Sequence, residues 1–132
     1  MSNPNIVAVT TIYGTTTYYT PSGTSAVVLL ANAASSGKVY KINQIVCANV
    51  NGSSAVNATV SIYTNGGVAQ GSAPSGGTAY PVVSTVSVPA DASLIVTDKT
   101  TAIYLEEDKC ISVTSGTASG ITYSISYEEI SS

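Results

Sequence analysis

Apolar and polar residues alternate along most of the chain, with β-branched residues concentrated in the alternating segments. This two-residue period is typical of half-buried β-strands. No segment keeps the i, i+3, i+4, i+7 apolar spacing of an amphipathic helix for more than about one turn. The pattern therefore predicts an all-β protein.

The alternation divides into ten predicted strands separated by turn-forming residues. The predicted strands are residues 6–13, 16–20, 26–31, 39–50, 56–64, 78–88, 93–98, 102–105, 110–115 and 121–129. In two of these strands a row of apolar residues falls on one face, which predicts that this face packs in the core. The predicted core rows are Val56, Ala58, Val60 and Ile62 in one strand, and Ile121, Tyr123, Ile125 and Tyr127 in the last, where Thr122, Ser124, Ser126 and Glu128 face the other way.

Short strands with turns every 8 to 12 residues are typical of two packed antiparallel sheets. We therefore expect an antiparallel β-sandwich, of jelly-roll or immunoglobulin-like type, in one domain. Residues 39–132 are expected to form its core, and residues 1–38 to supply first strands or an extended arm that lies on a neighbouring subunit. Asn51-Gly52 is the strongest hairpin signal, because both residues tolerate positive φ.

The segment GGVAQGSAPSGG, residues 66–77, is long, rich in small residues and uncharged. Its composition predicts a flexible surface loop. A loop that contacts a partner is the alternative interpretation.

Only 8% of the residues are charged, against about 25% in average soluble proteins, while Ser and Thr make up more than a quarter of the chain. A surface of hydroxyls and amides loses little hydration free energy when a partner covers it. With four lysines, no arginine and a net charge of −3, the chain has no basic stripe for nucleic acid or for an anionic membrane. We expect neither as a partner.

The N-terminal sequence lacks the basic residues and the apolar run of a secretory signal, and no segment is apolar enough to span a membrane. Synthesis in a host cytoplasm without secretion is therefore expected. Cys47 and Cys110 lie among apolar strand residues, which predicts two reduced core thiols, with a bridge between them as the alternative. A Ser/Thr-rich β protein without an export signal fits a virus structural protein, which is assembled inside a cell.

The chain contains no histidine, which excludes the Ser-His-Asp and Cys-His catalytic arrangements and a His-ligated zinc water. The stretch YLEEDKC holds Glu106, Glu107 and Asp108. Glu106 and Asp108 could share a face about 6 to 7 Å apart, within the range of paired catalytic carboxylates. The simpler interpretation is a turn whose charges are solvated and keep sheet edges apart. We predict no enzyme activity.

Calcium is the metal that the acids would suit, because it prefers oxygen ligands from loops. The candidate ligands are Asp91, Asp98, Glu106, Glu107 and Asp108, all near predicted strand ends. No D-x-D-x-D-G spacing accompanies them. We therefore predict no cofactor and no metal.

All nine aromatic residues are tyrosines, whose rings bury area while their hydroxyls stay hydrogen-bonded. Tyr40, Tyr63, Tyr123 and Tyr127 are predicted to be core or sheet-face residues. Tyrosine is also enriched at protein interfaces. The candidate interface residues are Tyr13, Tyr18, Tyr19 and Tyr80.

Three stretches carry a family resemblance: VYKINQIVCANVNGSSAVNATVSIY, VSVPADASLIVTDKTTAIYLEEDKCISVTSG and the terminal SYEEI. They resemble small virion structural proteins of tailed bacteriophages, in the segments 48–52, 89–99, 104–113 and 126–128. The sequence departs from that pattern at Asp108-Lys109, where Gly-Asp is usual, so we expect a differently shaped turn. The matching motifs are turns and strand ends, so the resemblance implies a particle component and no particular site.

The leading hypothesis is a capsid decoration, or cement, protein that binds the major capsid protein or other virion proteins and stabilises the head. Under this hypothesis we expect the protein to be located in the virion and to form a homo-oligomer. A trimer would fit the threefold sites of capsids. A neck, tail or fibre-attachment component is the alternative in the same class. A carbohydrate- or host-surface-binding module is the alternative of another class.

Overall fold

The computed structural model describes residues 7–131, so Ile6, where the first predicted strand begins, lies outside the described residues. Residues 7–131 form nine strands and one short 3₁₀ helix, without an α-helix. The strands are β1 (Thr11–Tyr19), β2 (Val27–Asn32), β3 (Lys38–Asn49), β4 (Val56–Tyr63), β5 (Ala79–Val88), β6 (Ser93–Thr97), β7 (Ile103–Leu105), β8 (Lys109–Ser115) and β9 (Ile121–Ser131), and the 3₁₀ helix is Lys99–Thr101. The all-β prediction is confirmed.

The strands form two antiparallel sheets that pack face to face. Sheet A has the order β1-β9-β3-β6, with β7 also pairing with β3, and sheet B has the order β2-β8-β4-β5. β1 lies beside β2, and β5 beside β6, so the edges of the two sheets coincide. β6 and β7 follow one another along the same side of β3. Taken as one interrupted strand, they give the strand order of an eight-stranded jelly roll.

The centre of sheet A is the pairing of β3 with β9, which runs from Lys38 opposite Ser131 to Asn49 opposite Ile121. The register shifts between Ile42 and Gln44, so Asn43 is a bulge residue. Without an extra residue, strict alternation would turn Ile45 to the opposite face from Ile42. With it, both side chains are fully buried in the core.

The two predicted core rows differ in how well the structure matches them. In β9, Ile121, Tyr123 and Ile125 are fully buried and Tyr127 packs partly buried against the same cluster, as predicted. In β4, Val56, Ala58 and Val60 are buried, but Ser61 and Tyr63 are also buried and Ile62 only partly. Alternation therefore ends after Val60, where the pairing of β4 with β5 shifts register.

The outer face of sheet B is covered by residues 66–77, and this explains the burial of Tyr63. Val28, Tyr63 and Cys110 form a second apolar cluster, against which Ala31 and Val68 pack. The loop is held by bonds from the Val28 amide to the Ser72 carbonyl and from the Gly71 amide to the Val28 carbonyl. The segment predicted to be a flexible surface loop is thus tied to the free edge of β2.

β1 and β2, which come before residue 38, belong to the sandwich. Residues 7–10 are not in a strand, contrary to the prediction, and the two strands predicted at 6–13 and 16–20 form one strand, β1, which starts at Thr11, runs through Gly14 and pairs with β9 along its whole length. β2 pairs with β8 in the other sheet. The expected division between residues 1–38 and 39–132 therefore does not separate structural units within the described residues.

The hairpin predicted at Asn51-Gly52 is wrong. Residues 50–55 connect β3 in sheet A to β4 in sheet B, and neither Asn51 nor Gly52 has positive φ. Asn51 instead accepts hydrogen bonds from the backbone amide and the hydroxyl of Ser53, an Asx turn. The same turn chemistry that favours a hairpin serves here to cross between the sheets.

Gly66→Ala is expected to destabilise the protein by about 1 to 3 kcal/mol or more, because the added Cβ would meet backbone. It would lie 2.2 Å from the Asn32 carbonyl oxygen and 2.8 Å from the Lys109 amide nitrogen. Gly23→Ala is the matched control, since nothing lies within 4 Å of its Cβ position. Urea unfolding of both variants measures the difference, and equal stability would contradict the close approach at Gly66.

Candidate functional site

The four candidate interface tyrosines have unequal exposure. Tyr13, Tyr18 and Tyr80 expose 59%, 70% and 60% of their surface. Tyr19 is half-buried, packs against the core and lies beside Gly71 of the 66–77 loop. Tyr13, Tyr18 and Tyr80 are therefore available to a partner, while Tyr19 already packs within the chain.

β1 is an edge strand with little burial on either face. Five consecutive residues, Ile12 to Thr16, are exposed, and so is Tyr18. Within the described residues, β1 pairs only with β9, so its other edge has no strand partner. Its sequence, TIYGTTTYY, has no charge and no proline, the usual protections of a free edge.

β5 is the edge of sheet B on the opposite side of the sandwich and is also poorly covered. Of its ten residues only Val88 is buried, and Tyr80 and Val82 are exposed. Ile95 of the neighbouring β6 is 59% exposed. Pro81 and the register shifts against β4 protect this edge from pairing with another strand. Its side chains remain available for contact.

The acidic stretch 106–108 is the turn between β7 and β8, as predicted, but its charges are not all solvated. Glu107 is 6% exposed, and its Oε2 accepts a hydrogen bond from the Gly37 amide at 3.1 Å. Asp108 Oδ1 accepts from the Gly66 amide at 3.2 Å. Two of the three acids therefore anchor neighbouring loops, the turn before β3 and the 66–77 loop.

Asp108 also fixes the shape of the turn. Its φ of +59° lies in the left-handed region that glycine adopts most readily and that Asp tolerates better than most residues. Asp in place of Gly at this position therefore does not require a differently shaped turn.

Tyrosine and charged side chains meet at the end of the β3–β9 pair that holds Lys38 and Glu129. The Tyr40 and Tyr127 rings lie 5.1 Å apart between centroids, and the Lys38 ammonium pairs with the Glu129 carboxylate at 3.2 Å. Burial, with the nearby Glu129 charge, raises the pKa of Tyr40 to about 12. Tyr13 lies in the same cross-strand row, opposite Glu129, so the cluster continues toward the exposed edge.

The two cysteines are free and buried, as predicted. Cys47 lies in the core between the sheets, and Cys110 lies in the second cluster under the 66–77 loop. Burial raises the pKa of Cys47 to about 12 and that of Cys110 to about 11. Both thiols therefore stay protonated and poorly nucleophilic at neutral pH.

A pocket of about 540 Å³, lined by residues whose side chains carry polar groups, opens on sheet A, and the sequence analysis did not identify it. Its lining comes from the β3 bulge, from β9 and from the turn between β6 and β7. The lining residues are Asn43, Gln44, Asp98, Lys99, Thr100 and Ser126. About 55 residues separate Gln44 from Asp98, and about 30 separate Asp98 from Ser126, so only the pairing of the strands brings these three together.

No protein-family model matches this chain, and a search of characterised proteins found none with a similar sequence. Among residues 7–131 there is no group of three or more His, Cys, Asp or Glu side chains placed to hold a metal ion. Within the same range, no helix is long and apolar enough to cross a membrane.

Tyr40→Phe is expected to reduce the loss of stability at alkaline pH. The unfolded chain releases this phenol proton near pH 10, whereas the folded chain holds it to about pH 12. The contribution to stability is therefore complete below pH 10 and is lost as the pH rises toward 12. Urea unfolding between pH 9 and 12 measures the slope. A Tyr40→Phe slope equal to that of wild type would contradict the assignment.

Proposed function

We propose that this protein is an accessory structural subunit of a bacteriophage particle, a decoration protein that binds the assembled head. The observation that carries the proposal is the edge strand β1, which is long, uncharged and exposed on both faces in the single chain. Free edges of this kind favour pairing with another chain. A protein that functions as a free monomer would be prone to aggregate through it.

Exposed apolar and aromatic side chains lie on two opposite sides of the sandwich. Ile12, Tyr13 and Tyr18 lie on β1, and Tyr80, Val82 and Ile95 lie on β5 and β6. Two different surfaces on one subunit suit head-to-tail contacts, which close into rings such as trimers. They equally suit a subunit held between two neighbouring proteins of a lattice.

The surface composition fits a subunit that becomes covered in an assembly. Eleven charged residues are spread over 132, and neither β1 nor β5 contains any. Covering hydroxyl and tyrosine side chains removes fewer tightly bound waters than covering ions does. Many identical copies on one particle would multiply a modest affinity per contact.

Two further considerations support a virion in particular. The chain resembles virion structural proteins of tailed bacteriophages in its strand-end and turn motifs, including residues 89–99 and 104–113. The jelly-roll strand order is also the architecture of many viral capsid domains.

Quantitative mass spectrometry of gradient-purified particles from the source tests the proposal directly. The expected result is hundreds of copies of this chain for each copy of portal protein, as decoration of a shell requires. A handful to a few dozen copies would overturn the head position in favour of the neck or tail. Complete absence from the particles would overturn the virion role.

Tyr13→Lys and Tyr80→Lys are expected to weaken binding to particles that lack this chain by about tenfold or more each, since the partner would cover a charged ammonium group in place of an aromatic ring. Val50→Lys is the control, an exposed apolar residue in the connection between β3 and β4, which belongs to neither β1 nor the β5–β6 side. Co-sedimentation with the particles measures binding. Equal binding by all three variants would contradict contact through β1 and β5.

A further inference from the structure

The pocket on sheet A exists because β6 and β7 leave a gap along one side of β3. β6 pairs with residues 45–48 of β3, and β7 pairs with residues 40–42. Asn43 and Gln44 therefore have no strand partner on that side, and the chain between β6 and β7 passes the gap as the turn Asp98–Thr101. The pocket lies between this turn and the bulge.

Ser126 sets the face on which the pocket opens. It pairs with Gln44 across β9 and β3, and its hydroxyl hydrogen-bonds Thr16 on β1 at 3.0 Å. Its strand neighbours Ile125 and Tyr127 point into the core, so Ser126 points away from it. The pocket is thus on the outer face of sheet A, away from the 66–77 loop that covers sheet B.

The lining offers both hydrogen-bond donors and acceptors with no net charge. Asn43 and Gln44 supply amides, Thr100 and Ser126 supply hydroxyls, and Asp98 and Lys99 carry opposite charges. The turn is rigid, since Asp98 Oδ1 accepts from the Thr100 amide at 3.0 Å and from its hydroxyl at 2.6 Å. These bonds lower the pKa of Asp98, so its carboxylate stays ionised at neutral pH.

Asn43, which lines the pocket, has an unsatisfied hydrogen-bond acceptor. Its Oδ1 is buried and has no hydrogen-bond partner within the protein. A buried acceptor without a donor is unfavourable by an amount comparable to a lost hydrogen bond. A ligand hydroxyl that reached this oxygen from the pocket would supply the missing donor.

We propose that this pocket binds a sugar residue of a neutral saccharide. Sugar hydroxyls each donate and accept, which matches a lining of amides, hydroxyls and one carboxylate. The balanced charge of Asp98 and Lys99 disfavours phosphates and other multiply charged ligands. The volume lies within the range of about 300 to 1,000 Å³ of small-molecule sites. Ser126 links the pocket to β1 through its bond to Thr16, but no residue of β1 or β5 lines the pocket, so the test of this proposal does not depend on the proposed particle role.

Amide chemical-shift mapping by NMR tests the proposal with glucose, galactose, mannose, N-acetylglucosamine and their neutral oligomers as probes. At least one probe is expected to shift the amides of residues 43–44, 98–101 and 126 in a saturable way. Saturation by a monosaccharide indicates a free sugar as ligand, and saturation only by oligomers indicates a polysaccharide. Absence of saturable shifts for every probe would overturn the proposal.

Variants and anion probes separate the pocket from nonspecific binding. Asn43→Ala and Ser126→Ala should each weaken the interaction about three- to tenfold, the effect of removing one neutral hydrogen bond. Ser124→Ala, on the same face of β9 but outside the pocket, should bind as wild type does. Ser126→Ala is expected to fold even if Asn43→Ala does not. Equal affinity in Ser126→Ala, or the same shifts produced by phosphate or acetate, would overturn the assignment.

Discussion

The pairing of β3 with β9 is the interaction on which the rest of the structure depends. β9 holds β1 on its other side, and β3 holds β6 and β7, so every strand of sheet A is attached to one of these two. The partners are far apart in the chain, and closing so long a loop is entropically unfavourable until both strands bury their side chains. Ile42, Ile45, Tyr123 and Ile125, all fully or nearly fully buried along this ladder, provide that burial.

The bulge at Asn43 affects both the packing of the core and the shape of the pocket. It keeps the core side chains of β3 facing inward on both sides of the irregularity. It also coincides with the gap between β6 and β7, and so with the pocket. Bulges often occur next to binding sites because they re-aim side chains without breaking the sheet. Here the cost is an unpartnered oxygen on Asn43.

The two sheets present different outer surfaces. The 66–77 loop covers sheet B and buries Tyr63 and Cys110, so that sheet has apolar residues on both faces. The acids of the β7–β8 turn help to hold this arrangement, since Asp108 binds the first residue of the loop. Sheet A keeps an open outer face, which carries Ser124, Ser126 and Glu128 of β9 and is flanked by the exposed edge β1. What a partner or ligand can reach is therefore concentrated on sheet A and at the β5–β6 side.

The sequence by itself determined the all-β class, the sandwich and nearly every strand, because alternation and turn residues are local properties of the chain. It also identified Tyr13, Tyr18 and Tyr80, which the structure leaves exposed. Tertiary structure alone decided the burial of Glu107, whose carboxylate accepts a hydrogen bond from the Gly37 amide 70 residues earlier in the chain. It likewise decided that Asn51-Gly52 crosses between sheets and that Asn43, Asp98 and Ser126 meet in one pocket. Contacts between residues so far apart in the chain depend on strand register. Long-range packing sets that register, and no local sequence pattern encodes it.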